Sequence, residues 1–199
     1  MSDRRYFLKE LIAGALASTV LKSPLAEAAF TAQTSLRYLR PPGALAEKEF
    51  LSHCIRCGQC GEICPNRCIS FFNLENGVDA LNTPYIIPRE QACILCMKCG
   101  QVCPTGAIKP LERTAEDILG NVKMGKAQVN KNLCLSWQGK TCGVCYRACP
   151  LADVAIRVGL LERPFVLDGC VGCGLCERSC IQIPQAIKIT PQHNIENMS

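Results

Sequence analysis

The chain has 199 residues, of which 17 are cysteine and 6% are aromatic, and its formal charge is +5. So few aromatic side chains argue against a large organic core, and a charge this small gives little support to nucleic-acid binding. The cysteine content reaches the level of small disulfide scaffolds, which leaves disulfides or metal as its purpose, and spacing separates the two.

Residues 1–28 read as an export signal. Arg4 and Arg5 precede Tyr6-Phe7-Leu8-Lys9 in a twin-arginine pattern, with Asp3 where a serine or threonine is usual. An apolar stretch from Leu11 to Leu21 follows, then Ala26-Glu27-Ala28 as a small-residue cleavage site. That stretch is too short to cross a bilayer core of about 30 Å as a helix. The pattern predicts a periplasmic protein exported folded by the twin-arginine route, attached to the inner membrane, if at all, through its partner or an uncleaved signal. Residues 29–53 form a connector, with a turn at Pro41-Pro42-Gly43 before a short helix from Leu45 to Cys54.

Residues 54–112 carry two cysteine runs. In Cys93-Ile-Leu-Cys96-Met-Lys-Cys99-Gly-Gln-Val-Cys103-Pro104 the cysteines are spaced by two, two and three residues and a proline follows; Cys54, Cys57, Cys60, Cys64 and Pro65 repeat this. Three cysteines so spaced wrap one turn of chain around a single cluster, and the fourth is given to a neighbour, as in bacterial ferredoxins. Asn76-Gly77, between the runs, has the composition of a hairpin turn. Residues 113–126 read as a linker helix with its stop at Leu119-Gly120.

Residues 127–190 hold two more runs, and 191–199 form a polar tail. Cys170, Cys173, Cys176 and Cys180 keep the spacing with Ile181 in place of proline, and Cys134, Cys142, Cys145, Cys149 and Pro150 keep it with the first gap stretched to seven residues. The first cysteines of successive runs lie 39, 41 and 36 residues apart, which makes a four-unit repeat. After each fourth cysteine comes CPNRCI, CPTGAI, CPLADVAI or CIQIPQAI, each ending in an isoleucine that opens a strand-like segment. Upstream, PYIIPREQAC, KAQVNKNLC and RPFVLDGC read as strand and turn. The predicted fold is α+β, two ferredoxin-like units with a small irregular core organised by clusters.

Zinc sites come as two ligand pairs separated by a longer loop, and a disulfide framework has no reason to repeat this interval four times. The sixteen regular cysteines are therefore assigned to four [4Fe-4S] clusters, leaving a structural zinc or disulfide protein as a remote alternative. Residues 1–28 carry four basic and three acidic groups, so the rest stands at +4; four clusters of roughly −2 each would bring it to about −4. Tandem pairing gives Cys54, Cys57, Cys60 with Cys103; Cys93, Cys96, Cys99 with Cys64; Cys134, Cys142, Cys145 with Cys180; and Cys170, Cys173, Cys176 with Cys149. A nested arrangement, first run with fourth and second with third, is equally compatible with the spacing. Cys68 aligns with Ala107 and reads as a small buried hydrophobe. Gly58, Gly61, Gly100, Gly143 and Gly174 let backbone amides approach cluster sulfurs or simply permit the turn. Trp137 is a candidate shield for the widened run, His53 a surface histidine, and His193 a tail residue without a role.

Twin arginines, LRPPGALAEKEFLSHCIRCGQC, TPYIIPR and CLSWQGKTCGVCYRACPLAD together resemble the MauM/NapG group of ferredoxin-type proteins over nearly the whole chain. The resemblance implies a periplasmic four-cluster protein. Its donor would be a membrane quinol-oxidising iron–sulfur protein, and its acceptor a periplasmic reductase or cytochrome, nitrate reductase being the best-known case. The sixteen regular cysteines carry over as ligands. Neither a nucleotide-binding glycine loop nor a triad-like arrangement is present, so the expectation is an electron-transfer subunit of a quinol dehydrogenase complex, not catalytic alone. The alternative is the iron–sulfur subunit of an exported molybdenum-type oxidoreductase.

Overall fold

Short elements strung between cysteines are what a chain rich in turns and poor in long apolar stripes can form. The computed structural model describes residues 38–192, which fall within one compact unit. The export signal and His193 lie outside the described residues.

Helix α1, Glu47–His53, forms within the segment predicted from Leu45 to Cys54, and it buries Phe50 completely. After it come α2 (Gln59–Glu62), β1 (Ser70–Phe71), β2 (Pro84–Tyr85) and α3 (Lys98–Gln101). Strands β1 and β2 pair antiparallel, Ser70 with Tyr85 and Phe71 with Pro84. Asn76-Gly77 does not make a two-residue hairpin turn between them. It closes a 3-10 turn, Leu74–Asn76, started by the Asn73 side chain accepting from Glu75 N–H, inside a longer connection.

The predicted linker contains α4, Ala115–Asn121. Thr114 caps it by accepting from Asp117 N–H, and Glu116 and Asp117 favour its positive end. Strand β3 begins at Gly125 and runs to Val129, followed by α5 (Val144–Arg147), β4 (Ile156–Val158), β5 (Pro164–Val166), α6 (Leu175–Ser179) and β6 (Ile187–Pro191). Pairing is antiparallel for β4 with β5 and for β3 with β6, the latter over five residue pairs from Gly125 with Pro191 to Val129 with Ile187. Alternate residues Ala127, Ile187 and Ile189 face the core, as a two-residue period requires.

Each half thus has an inner hairpin and an outer pair joining the segment before its first run to the segment after its second. In residues 38–112 the outer pair is one bridge, Ala44 with Ile108, held by Lys109 N–H to Gly43 C=O at 2.8 Å. Every isoleucine that ends a repeat, Ile69, Ile108, Ile156 and Ile187, stands at or next to such a pairing. A salt bridge at 2.5 Å joins Arg40, almost fully buried, to Glu47; the same guanidinium donates to Thr83 Oγ1 and Pro84 C=O and lies over the rings of Tyr38, Phe50 and Phe72. This pins the connector onto the first half, where the strand ladder is short.

Candidate metal centres

All seventeen cysteines are free thiols, so the disulfide reading has no bond to rest on. Among the described residues no three His, Cys, Asp or Glu side chains close around a single metal ion. The sulfurs instead surround spaces. Cys54, Cys57, Cys60 and Cys103 line one. A second is lined by Cys149, Cys170, Cys173 and Cys176, and a third by Cys134, Cys142, Cys145 and Cys180. Three spaces, each with four thiols and an otherwise mostly apolar lining, fit three of the tandem sets and none of the nested ones.

The remaining set adjoins the odd cysteine. Cys68 lies 3.6 Å sulfur to sulfur from Cys64 and shares one buried cluster with Cys64 and Cys93. Cys64, Cys93 and Cys99 are buried and Cys96 half-buried. Cys68 is buried in the register of Ala107, as the repeat predicts, but the alignment gave no sign that it packs with two predicted ligands.

Local backbone explains how the sulfurs converge. In the first, second and fourth runs the residues on either side of the second cysteine take left-handed conformations: Arg56 and Gly58, Leu95 and Met97, Gly172 and Gly174. Two such residues in alternation curl the chain back so that three thiols face one way, after which α2, α3 or α6 begins. The third run has only Gly143 in this role, directly after Cys142. Its extra residues form turns from Cys134 onward, stitched by Trp137 and Gln138 N–H to Cys134 C=O at 3.0 Å. Gly61 and Gly100 serve a different end: a Cβ at Gly100 would come within 2.1 Å of Lys109 C=O, so these glycines let helix and strand touch.

Backbone amides reach four of the sulfurs. Leu95 N–H donates to Cys93 Sγ at 3.4 Å, Ile108 to Cys103 at 3.4 Å, Ala127 to Cys170 at 3.4 Å and Ala186 to Cys180 at 3.3 Å. Such bonds to cluster sulfurs tune reduction potential. Burial pushes the Cys60, Cys145 and Cys173 thiols up to about 11 and Cys99 up to about 12, with neighbouring cysteines adding to all four. Thiols so placed stay protonated at neutral pH unless a cation compensates them, which is what iron in a thiolate-ligated cluster does.

Other residues singled out by sequence fall into plain roles. His53 is exposed, its Nδ1 held against Glu49 C=O at 2.9 Å. Trp137 packs edge-on against Phe165 with Lys131 and Arg163 over its ring, while Leu135 and Ser136 line the third-run space. Two contacts had no sequence signal. Buried Glu177 accepts from Gln185 Nε2 and Ile189 N–H, and Arg89 donates to the carbonyls of Glu177, Arg178 and Cys180.

The 4Fe-4S dicluster domain family matches residues 53–107 and again 92–153. The second match spans runs two and three, so it follows the sequence repeat and not the structural halves. The chain is 41% identical over 206 residues to the ferredoxin-type protein NapG of Escherichia coli, covering 96% of this chain and 86% of that protein. Against NapG of Haemophilus influenzae it is 38% identical over 213 residues, covering 98% and 74%. Against the methylamine utilization ferredoxin-type protein MauM of Methylobacillus flagellatus it is 36% identical over 211 residues, covering 96% and 84%. With the 4Fe-4S dicluster family matched twice and relatives of this kind over most of its length, the chain belongs to the NapG/MauM family of [4Fe-4S] ferredoxin-type electron-transfer proteins.

Proposed function

We propose that the chain holds four [4Fe-4S] clusters on its sixteen regular cysteines, paired in tandem, and relays electrons in the periplasm. The donor is a membrane quinol-oxidising iron–sulfur protein, and the acceptor a periplasmic oxidoreductase such as nitrate reductase, or a cytochrome. The observation that carries the reading is that three separate apolar spaces are each lined by four thiols. A cluster with four cysteine ligands has no open position for substrate, so it supplies one-electron transfer and the protein supplies insulation and order. No described helix is long and apolar enough to cross a membrane, which supports a donor that brings the quinol site. Relatives bearing both the NapG and the methylamine utilization names support a relay not tied to one terminal enzyme.

The test is bleaching of the visible absorption on adding quinol to anaerobically purified protein, with and without membranes containing the donor. Reduction only with those membranes is expected; rapid reduction by quinol alone would mean a quinol site within this chain and end the relay reading. Export is tested separately. Replacing Arg4 and Arg5 by lysine should leave loaded protein in the cytoplasm, and normal periplasmic appearance would contradict the twin-arginine assignment.

A further inference from the structure

We infer that the four centres form a single line in the order first run, second run, fourth run, third run, so that electrons cross between the halves through the second- and fourth-run centres. This rests on the reading of the tandem cysteine sets as cluster ligands. With clusters held by Cys64, Cys93, Cys96 and Cys99 and by Cys149, Cys170, Cys173 and Cys176, one electron would pass from one to the other at the crossing; no bond would be made and no proton would have to move.

Within each half the neighbours are clear. Helices α2 and α3 pack together, and Cys60 and Cys99 share one buried apolar cluster with Cys54 and Cys103 beside it. Helices α5 and α6 pack in the same way in the second half, with Cys145 and Cys176 in one core. What decides the order is the contact between halves.

That contact is made by the second and fourth runs. Cys93 N–H donates to Cys173 C=O at 3.0 Å, so a residue of one ligand loop is bonded to a residue of the other. Just upstream, Arg89 donates to the last carbonyls of the fourth-run helix, including Cys180 C=O at 2.9 Å. Pro88 lies so close to Gly174 that a Cβ there would be 2.5 Å away. One continuous apolar core contains Cys64 and Cys93 together with Cys173 and Cys176, while Cys60 and Cys99 belong to a separate one. Among the described residues no hydrogen bond links 54–60 or 103–108 to 134–145 or 180–186.

Burial agrees. Leu95 and Met97 in the second run, and Gly172, Cys173 and Gly174 in the fourth, are buried. Leu95 and Met97 hold left-handed backbone at φ 54° and 62°, a conformation that is strained for a non-glycine residue. The first and fourth runs place glycine at one or both of these positions. Bulky apolar side chains are kept here because they fill the core between the halves and exclude water from the crossing. By contrast, Cys57 is exposed and Ile55 is 62% exposed in the first run. Residues 138–141 of the third run are exposed, as are Ile181 at 61% and Ile183 at 88% next to its fourth ligand. The two end centres therefore face solvent through their own ligand loops, where electrons enter and leave.

The experiment uses the full chain, purified anaerobically, with iron counted before low-temperature EPR of the reduced state. Cys57→Ala with Cys145→Ala leaves the second- and fourth-run centres, and its spectrum should be broadened or split by coupling between adjacent spins. Cys96→Ala with Cys173→Ala leaves the first- and third-run centres, and its spectrum should be the plain sum of two isolated signals. Splitting in the latter and none in the former would overturn the order. Should a double variant fail to load, a soluble paramagnetic chelate added to the unaltered chain gives the same answer. Two of its clusters should relax faster and two be shielded, and equal enhancement of all four would refute the line. An unaltered chain without iron would instead overturn the ligand assignment itself, which the count shows before any spectrum is taken.

Discussion

The halves of this chain solve one problem with unequal means. In residues 125–191 the outer pair is a five-residue ladder, β3 with β6, that closes the repeat by backbone hydrogen bonds. In residues 38–112 the same pair shrinks to the bridge of Ala44 with Ile108. The reason lies in Pro41-Pro42-Gly43, since proline has no N–H to give to a ladder. What replaces it is a side-chain clamp, Arg40 with Glu47 under α1. A repeat can thus keep its thiols in place either by strand pairing or by one partly buried ion pair.

The predictions follow from that contrast. The largest effect should come from stripping iron, because a core this small leaves folding to depend on metal. Cooperative unfolding followed by far-UV circular dichroism should vanish on anaerobic chelation, and any amide protection that survives should lie in β3 and β6. Equal protection of both halves would erase the difference drawn here.

Arg40→Ala comes next. It removes the buried guanidinium that joins Glu47, Thr83 and Pro84, and about 3 kcal/mol should be lost, with the first-half clusters shed before the others on denaturant titration. Gln128→Pro breaks the β3–β6 ladder opposite Lys188 at an exposed position and should cost about 2 kcal/mol, with second-half iron lost first. Lys109→Pro removes the single Lys109 to Gly43 bond and should cost only about 1 kcal/mol, because the clamp remains. If Lys109→Pro proves as damaging as Gln128→Pro, the bridge matters more than the clamp. The smallest effect is expected for Cys68→Ala, which should keep the full iron content. Loss of one cluster's iron would make Cys68 a ligand.

Much of this was legible in the sequence. The cysteine interval and the isoleucine after each run pointed to the left-handed turns and to the strands, because such a turn and the strand that follows it depend on local spacing. Helix α1 and the start of β3 were likewise readable from local composition. Tandem against nested pairing was not, since both satisfy the same intervals and the choice depends on how the outer segments meet. Asn76-Gly77 misled because the two flanking strands pair at Ser70 and Tyr85, too far apart in sequence for a two-residue turn. The junction of the halves was invisible for a simpler reason: Cys93 N–H to Cys173 C=O is a backbone bond that any residues could make. Cys68 matched Ala107 in register, yet the direction of its sulfur depends on Cys64 and Cys93 in space.

The most direct test of the account is the iron and acid-labile sulfide content of the chain purified without oxygen, taken with its visible spectrum. Four tandem sets predict about sixteen of each per chain and a broad absorption that bleaches on reduction. Colourless protein carrying zinc, or iron for only two clusters with the second-half cysteines reactive as free thiols, would contradict it.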